Sequence, residues 1–415
     1  MDAIVMEWGG LLLRWVHIIT GIAWIGSSFY FMHLDAAIKA IPEIPAGKGG
    51  EAWEVHGGGF YQVRKYLVAP EKLPSELMWH KWESYSTWIS GFFLLIWVYY
   101  LGSDLYLIDP AVRQLSPLGA AAIGIGGLAA GWVVYDLLVK SPLAENEVAL
   151  AAVRFAFIMA MAYFFQQMFS GRGALIHTGA LMGTIMTGNV FMNIIPNQKK
   201  VIADLIADRS PNPDYGKQAK TRSRHNNYLT LPVLFLMISG HYPLTFTSPY
   251  AWVMVGFVLI SGAMVRHYYN ERHAGRGDKW WAWGVAAASI LAAVYISMLS
   301  NPTGRERLGL KAIKPLKVAT SVRVPKEVDE IITTRCSMCH AADPGSYGLV
   351  APPKGVVLDT QSQIARHAEA IRVQAVMTNA MPPNNITQMT QDERRKLAVW
   401  LSMRDESIQA PARKP

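Results

Sequence analysis

Eight apolar stretches dominate the chain up to Ser300, near residues 9 to 33, 84 to 102, 116 to 136, 148 to 169, 172 to 195, 227 to 247, 249 to 269 and 280 to 300. As helices, each is long enough to cross about 30 Å of hydrocarbon. Inside hydrocarbon every backbone N–H and C=O must bond within the protein, so this pattern predicts a polytopic bundle of about eight transmembrane helices. Only 17% of the 415 residues are charged, which agrees with that class. The first stretch carries Arg14 and His17 and continues to Phe31 without a small-residue cleavage site, so it is expected to stay as a helix.

The loops give the orientation. Lys39, Lys48, Arg64, Lys65, Lys72 and Lys81 crowd the first, Lys199, Lys200, Arg209, Lys217, Lys220, Arg222 and Arg224 the fifth, and Arg266, Arg272, Arg276 and Lys279 the seventh. The alternate loops offer little beyond Arg113 and Arg172. Positive charge stays on the cytoplasmic side, so these loops face the cytoplasm and both termini face outward. The same loops account for the net charge of +9 and leave little reason to invoke nucleic acid. Arg305, Arg307, Lys311, Lys314 and Lys317 run against the pattern and are read as the lead into a translocated domain.

Three regions depart from the spanning pattern. Segment 34–82 holds prolines, the glycines 57 to 59, and aromatics alternating with charges around Trp53, Tyr61, Tyr66 and Trp79, which predicts a folded cytoplasmic cap. Residues 301–325, with Pro302, Pro315 and Pro325 among basic residues, read as a linker. Residues 326–410 read as a small soluble domain, so the fold class expected for the whole chain is all-α.

Within that domain lies Cys336-Ser337-Met338-Cys339-His340, which contains both cysteines of the chain. C-x-x-C-H is the spacing at which two thioethers fix a porphyrin while the adjacent imidazole ligates its iron. A zinc site would need a second ligand pair, and a redox disulfide has no need of the histidine. Haem c is therefore the expected cofactor, in a class I-like cytochrome c domain. Val328, Ile331 and Ile332 form the apolar face of a helix entering the motif, and Thr390 with Glu393 makes a capping box before a closing helix with Leu397 and Trp400. Met381, followed by Pro382 and Pro383, is the expected second iron ligand, with Met377 and Met389 as alternatives. Pro352 or Pro353 is expected to offer a carbonyl to the ring N–H of His340.

Ionisable groups within spans are costly and therefore candidates for function. With the N-terminus outside, His17, His177 and His241 fall toward the outer half, and His33, His80, His225 and His267 near the cytoplasmic boundary. His17 and His33, like His225 and His241, lie about 24 Å apart along a helix but about 160° apart around it, which disfavours a cage of four histidines and two haems. One haem b held by His17 with His177 or His241 is the surviving version. Arg14, Glu83, Arg154, Gln166, Gln167, Arg172, Asn189, Asn193, Asn226 and Asn227 could together bind an anionic, planar ligand.

The stretches Trp15-Val16-His17-Ile18-Ile19-Thr20-Gly21-Ile22-Ala23-Trp24-Ile25-Gly26 and Arg224-His225-Asn226-Asn227-Tyr228-Leu229-Thr230-Leu231-Pro232, with the motif at Cys336 to His340, resemble the membrane-bound bacterial urate oxidases (urate hydroxylases) that carry a fused cytochrome c domain. The first helix also resembles that of haem-binding membrane protoporphyrinogen oxidases, where a histidine at the place of His17 matters. The urate oxidase resemblance covers essentially the full chain. It implies oxidation of urate to 5-hydroxyisourate at the bacterial inner membrane. Electrons would pass to a periplasmic cytochrome domain and on to a respiratory cytochrome or terminal oxidase, without hydrogen peroxide. The expected catalytic residues are Arg172 for the anion, with His17 or Glu83 as base. Urate and membrane lipid are the expected partners, and a homo-oligomer remains open. A non-catalytic anchor for a separate oxidoreductase is the competing class, and a purine transporter with a redox sensor is a third.

Overall fold

The computed structural model describes residues 3–44, 49–66, 70, 73–109, 112–299, 305, 308–310, 324–344, 349, 352–353 and 356–409. The long helices of the N-terminal unit are α1 (Ala3–Ala37), α2 (Trp82–Leu95), α4 (Pro117–Lys140), α5 (Glu147–Met168), α6 (Gly171–Gly188), α7 (Ile195–Ile206), α8 (Pro213–Ser239), α10 (Ala251–His273) and α11 (Trp281–Leu299). Two single turns, α3 (Ser103–Tyr106) and α9 (Pro243–Phe246), lie between them. Short polar residues start several helices: the Ser116 side chain accepts from Gly119 N, Asn146 from Val148 N and Ala149 N, and Ser170 from Gly173 N. Each satisfies backbone donors that a helix start leaves unpaired.

Five helices, α1 from Ile4, α4, α5, α10 and α11, are long and apolar enough to cross a membrane. The other three apolar stretches fold as α2, α6 and α8. α2 runs into a π-helical turn at Ile96–Tyr100 and α6 into another at Asn189–Ile194, while α8 begins in polar sequence and contains Pro232. α6 is also the helix the bundle is packed around: it touches α2, α4, α5 and α8 and buries His177, Thr178 and Leu181 among others. A helix enclosed by protein need not be apolar in composition, because its polar groups meet other helices rather than lipid.

The cap departs from the all-α expectation. Gly49–His56 (β1) and Gly59–Tyr66 (β2) pair antiparallel, with His56 opposite Gly59. The connecting Gly57 and Gly58 both have positive φ, at 57° and 82°, as a two-residue hairpin turn requires. Lys39 and Glu51 exchange backbone hydrogen bonds and tie the hairpin to the end of α1. The alternation of aromatic and charged residues was a strand period.

Most of the 301–325 linker lies outside the described residues. Beyond it are α12 (Lys326–Arg335), α13 (Ser337–His340), α14 (Gln361–Arg366), α15 (Ala368–Ile371) and α16 (Gln391–Gln409). This unit has its own core, in which Val328, Ile331 and Ile332 meet Leu397, Trp400 and Leu401. The Thr390–Glu393 capping box is formed: Glu393 N donates to Thr390 Oγ1 (3.2 Å) and Thr390 N to Glu393 Oε2 (2.6 Å). The segment Pro383–Asn385 rests on α3 of the bundle.

Candidate functional site: two cavities and what lies between them

Cys336, Cys339, His340 and Met381 line one cavity of about 140 Å³. The short helix α13 with its N-cap Cys336 places both thiols and the imidazole on it, and the loop before α16 brings the thioether. His340 Nδ1 donates to the carbonyl of Val356 at 2.9 Å, so the acceptor is Val356 and not Pro352 or Pro353. That bond fixes the tautomer and leaves Nε2 with the lone pair a metal needs. Met389 is buried in the hydrophobic core instead, and Met377 is not on the cavity wall. Burial pushes the Cys336 thiol up to about 12 and raises Cys339 as well. Among the described residues no three His, Cys, Asp or Glu side chains converge as a bare-ion site. Two thiols for thioether attachment to a porphyrin, with one tautomer-locked imidazole and one thioether as iron ligands, fit a c-type haem.

The loop carrying Met381 is held by a residue the sequence did not single out. Arg394 is buried; its Nη1 donates to the carbonyls of Ala375 and of Met381, the latter at 2.8 Å. Arg335 joins the other end, donating from Nε to Glu393 (3.0 Å) and from Nη1 to the Thr387 carbonyl (2.5 Å). Burial alone would raise the Glu393 carboxyl, but Thr390 N–H and Arg335 together hold it below the usual carboxylate range.

A second cavity, of about 160 Å³, lies inside the bundle and is almost wholly apolar. His17, Trp24, Trp88, Tyr99 and Thr187 are on its wall. His17 Nδ1 pairs with the Thr87 carbonyl (3.0 Å), which leaves Nε2 uncommitted. Gly91 makes room for the ring, since a Cβ there would sit 2.7 Å from His17 Cε1. Thr187 Oγ1 is buried without a hydrogen-bond partner.

The other expected site residues are placed elsewhere. His177 is 0% exposed, and both of its nitrogens are spent, Nδ1 on the Gly173 carbonyl (2.8 Å) and Nε2 on Tyr100 Oη (3.2 Å). His241 is exposed at the end of α8. Neither shares a cavity wall with His17, so the structure does not assemble the pair expected to hold a haem b. Glu83 pairs with His80 Nδ1 (2.9 Å), about a turn away from the cavity-lining Thr87, and its Oε2 is buried without a partner. Arg172 is absent from the bundle cavity and lines the cavity of Cys336 instead.

Of the amide and guanidinium groups expected to read a planar anion, Asn189 and Asn226 bond each other within a network that includes Arg222, whereas Arg172 Nε, Asn193 Oδ1 and Asn227 Nδ2 are buried without a hydrogen-bond partner. Arg222 donates to Asp136 Oδ1 (2.6 Å) and Asn189 Oδ1 (3.1 Å), and Asn189 Nδ2 to Tyr135 Oη (2.9 Å) and Asn226 Oδ1 (2.8 Å). Tyr135 Oη also pairs with His225 Nδ1 at 2.9 Å. Gln166 bridges to the backbone of Pro249 and Trp252. These groups lock helices together, as buried polar residues do when a partner is in reach.

No curated protein and no solved structure matches the chain. The family model described as urate oxidase N-terminal matches residues 3–297, the whole bundle with its cap. By that match the chain belongs to the urate oxidase N-terminal family.

Proposed function

We propose that this chain oxidises urate to 5-hydroxyisourate and delivers the electrons to a haem c bound through Cys336 and Cys339. The family match supports a urate-related oxidation. The observation that carries the electron-transfer half is the cavity shared by the two thiols, His340 and Met381, walled on the bundle side by Tyr106 and Arg172. In this reading eight helices span the inner membrane, residues 326–410 form the periplasmic cytochrome domain, and a respiratory cytochrome or terminal oxidase removes the electrons.

The balance is urate plus water giving 5-hydroxyisourate, two protons and two electrons. Haem c bound at His340 and Met381 would accept those electrons one at a time, with methionine ligation favouring a high potential. The chain's own groups do the rest. The rings of Trp24 and Trp88 offer flat apolar faces to a purine, and Trp88 is held by its Nε1 donation to Thr184 Oγ1 (3.1 Å). His17 Nε2 takes a proton from a urate N–H, while the bond from Nδ1 to the Thr87 carbonyl stabilises the imidazolium that forms. Thr187 Oγ1 offers an unpartnered polar atom on the same wall.

Urate added anaerobically to the purified full chain should reduce the c-type absorption band; an unchanged spectrum would favour the anchor role for a separate oxidoreductase. A second reading, a haem b in the bundle cavity with His17 as its protein ligand, is favoured by the same Nδ1 bond to Thr87. Non-covalent haem counted by pyridine haemochrome separates the two.

A further inference from the structure

The two cavity linings share no residue. Electrons released inside the bundle therefore need a way out to the thiol-lined cavity. Tyr99 is on the wall of the bundle cavity and Tyr106 on the wall of the other. Their rings meet edge to face, with centroids 6.2 Å apart and planes at 60°. Among the described residues this is the aromatic contact that joins the two linings.

The local backbone explains why the rings meet. The π-helical turn Ile96–Tyr100 at the end of α2 admits an extra residue, which lets adjacent tyrosines serve different neighbours. Tyr100 bonds His177 deep in the core, while Tyr99 stays on the cavity wall. The chain then folds back through α3, which presents Tyr106 to Tyr99 and touches the Pro383–Asn385 segment of the C-terminal unit. The guanidinium of Arg172 lies 5.8 Å from the Tyr106 ring centroid and lines the same cavity as Cys336 and His340.

We infer that Tyr99 and Tyr106 form the electron path from the bundle cavity to the haem c edge. Each passage takes one electron from the occupant of the bundle cavity and reduces one ferric haem c to ferrous. The rings end as they began, and the proton released by urate leaves separately through His17. The cation of Arg172 beside Tyr106 makes a tyrosine radical cation costly, so the rings serve as a bridge rather than as stopping points. The inference rests on the functional reading above, and it holds for either occupant of the bundle cavity, urate itself or a haem b.

The test uses the purified full-length holoprotein, mixed anaerobically in one arm with urate and in the other with ascorbate, which reaches an exposed haem edge directly. Tyr99→Leu and Tyr106→Leu should each slow urate-driven reduction by about tenfold or more, a loss of about 1.4 kcal/mol of barrier advantage. Ascorbate-driven reduction and covalent haem content should stay as in the parent chain. Restoring the ring in Tyr106→Phe should recover most of the lost rate, because the ring and not the hydroxyl carries the coupling. Tyr106 is half-buried at the junction of the two units, so its replacement leaves the bundle core packed if Tyr99→Leu proves unstable. Parent rates of urate-driven reduction in the Tyr106→Leu chain overturn the path alone. A parent chain that urate does not reduce, though ascorbate does, overturns the functional reading and the path with it.

Discussion

The two cavities are built in opposite ways. In the C-terminal unit, three of the four functional side chains lie within five consecutive residues, on the short helix Ser337–His340 and its N-cap Cys336. In the bundle, the wall draws on α1, the α2 region, α4, α6 and α8, with His17 and Thr187 far apart in sequence. A macrocycle dictates local spacing, whereas a space between helices depends on which faces pack together. The first kind of site can be found as a motif; the second exists only after folding.

The contrast can be broken most directly at the thiols. Replacing both Cys336 and Cys339 by serine should abolish covalent haem altogether, measured by intact mass, while the bundle still assembles as a detergent-solubilised helical unit. Arg394→Ala should come next. It frees the Met381 carbonyl from a charged donor and should cost the C-terminal unit about 3 kcal/mol, with loss of the thioether-to-iron absorption band. In the bundle, Arg222→Met removes the buried cation that joins Asp136 to Asn189, leaves Asp136 with Lys140 as its remaining cation, and should destabilise by about 2 kcal/mol, read as a lower apparent Tm with covalent haem content intact. If Arg222→Met instead removed urate-driven reduction at unchanged stability, the polar network would be a substrate site rather than a clamp.

Two smaller effects sharpen the junction between the regions. Arg172→Gln should lower the haem c midpoint potential by about 40 mV, the one-electron equivalent of about 1 kcal/mol, because a cation on the wall of the cavity would favour the reduced form of a haem held there. An unchanged potential would place Arg172 outside the haem's field. The smallest effect concerns acid. The folded pKa of Glu393 is depressed, so its contribution is full above the ordinary glutamate value of about 4.3 and is lost as pH falls through the folded value. Glu393→Gln should flatten that part of the stability profile of the C-terminal unit.

Particular residues mark how far the sequence could be read. The helix face of Val328, Ile331 and Ile332, the Thr390–Glu393 box and the clustering of both thiols with His340 follow from local spacing, and local spacing survives folding, whereas Met381 reaches the same cavity through the fold. The cap was legible as ordered but not as a hairpin; its glycine pair and strand-period alternation carried the signal. The histidines of the bundle were sorted by depth alone, and depth does not tell which neighbour a ring meets. His177 therefore passed for a ligand, although the Gly173 carbonyl and Tyr100 consume both its nitrogens.

What the sequence by itself determined is the run of apolar helices, the C-x-x-C-H motif, and the resemblance that the family match supports for residues 3–297. Those depend on composition and on intervals of a few residues. Only the tertiary structure decided that Val356 orients His340, that Arg394 holds the Met381 loop, that Arg172 belongs to the thiol-lined cavity, and that Tyr99 meets Tyr106. Each of these joins groups through space, and such contacts are selected by how whole faces pack, which no short interval of sequence encodes.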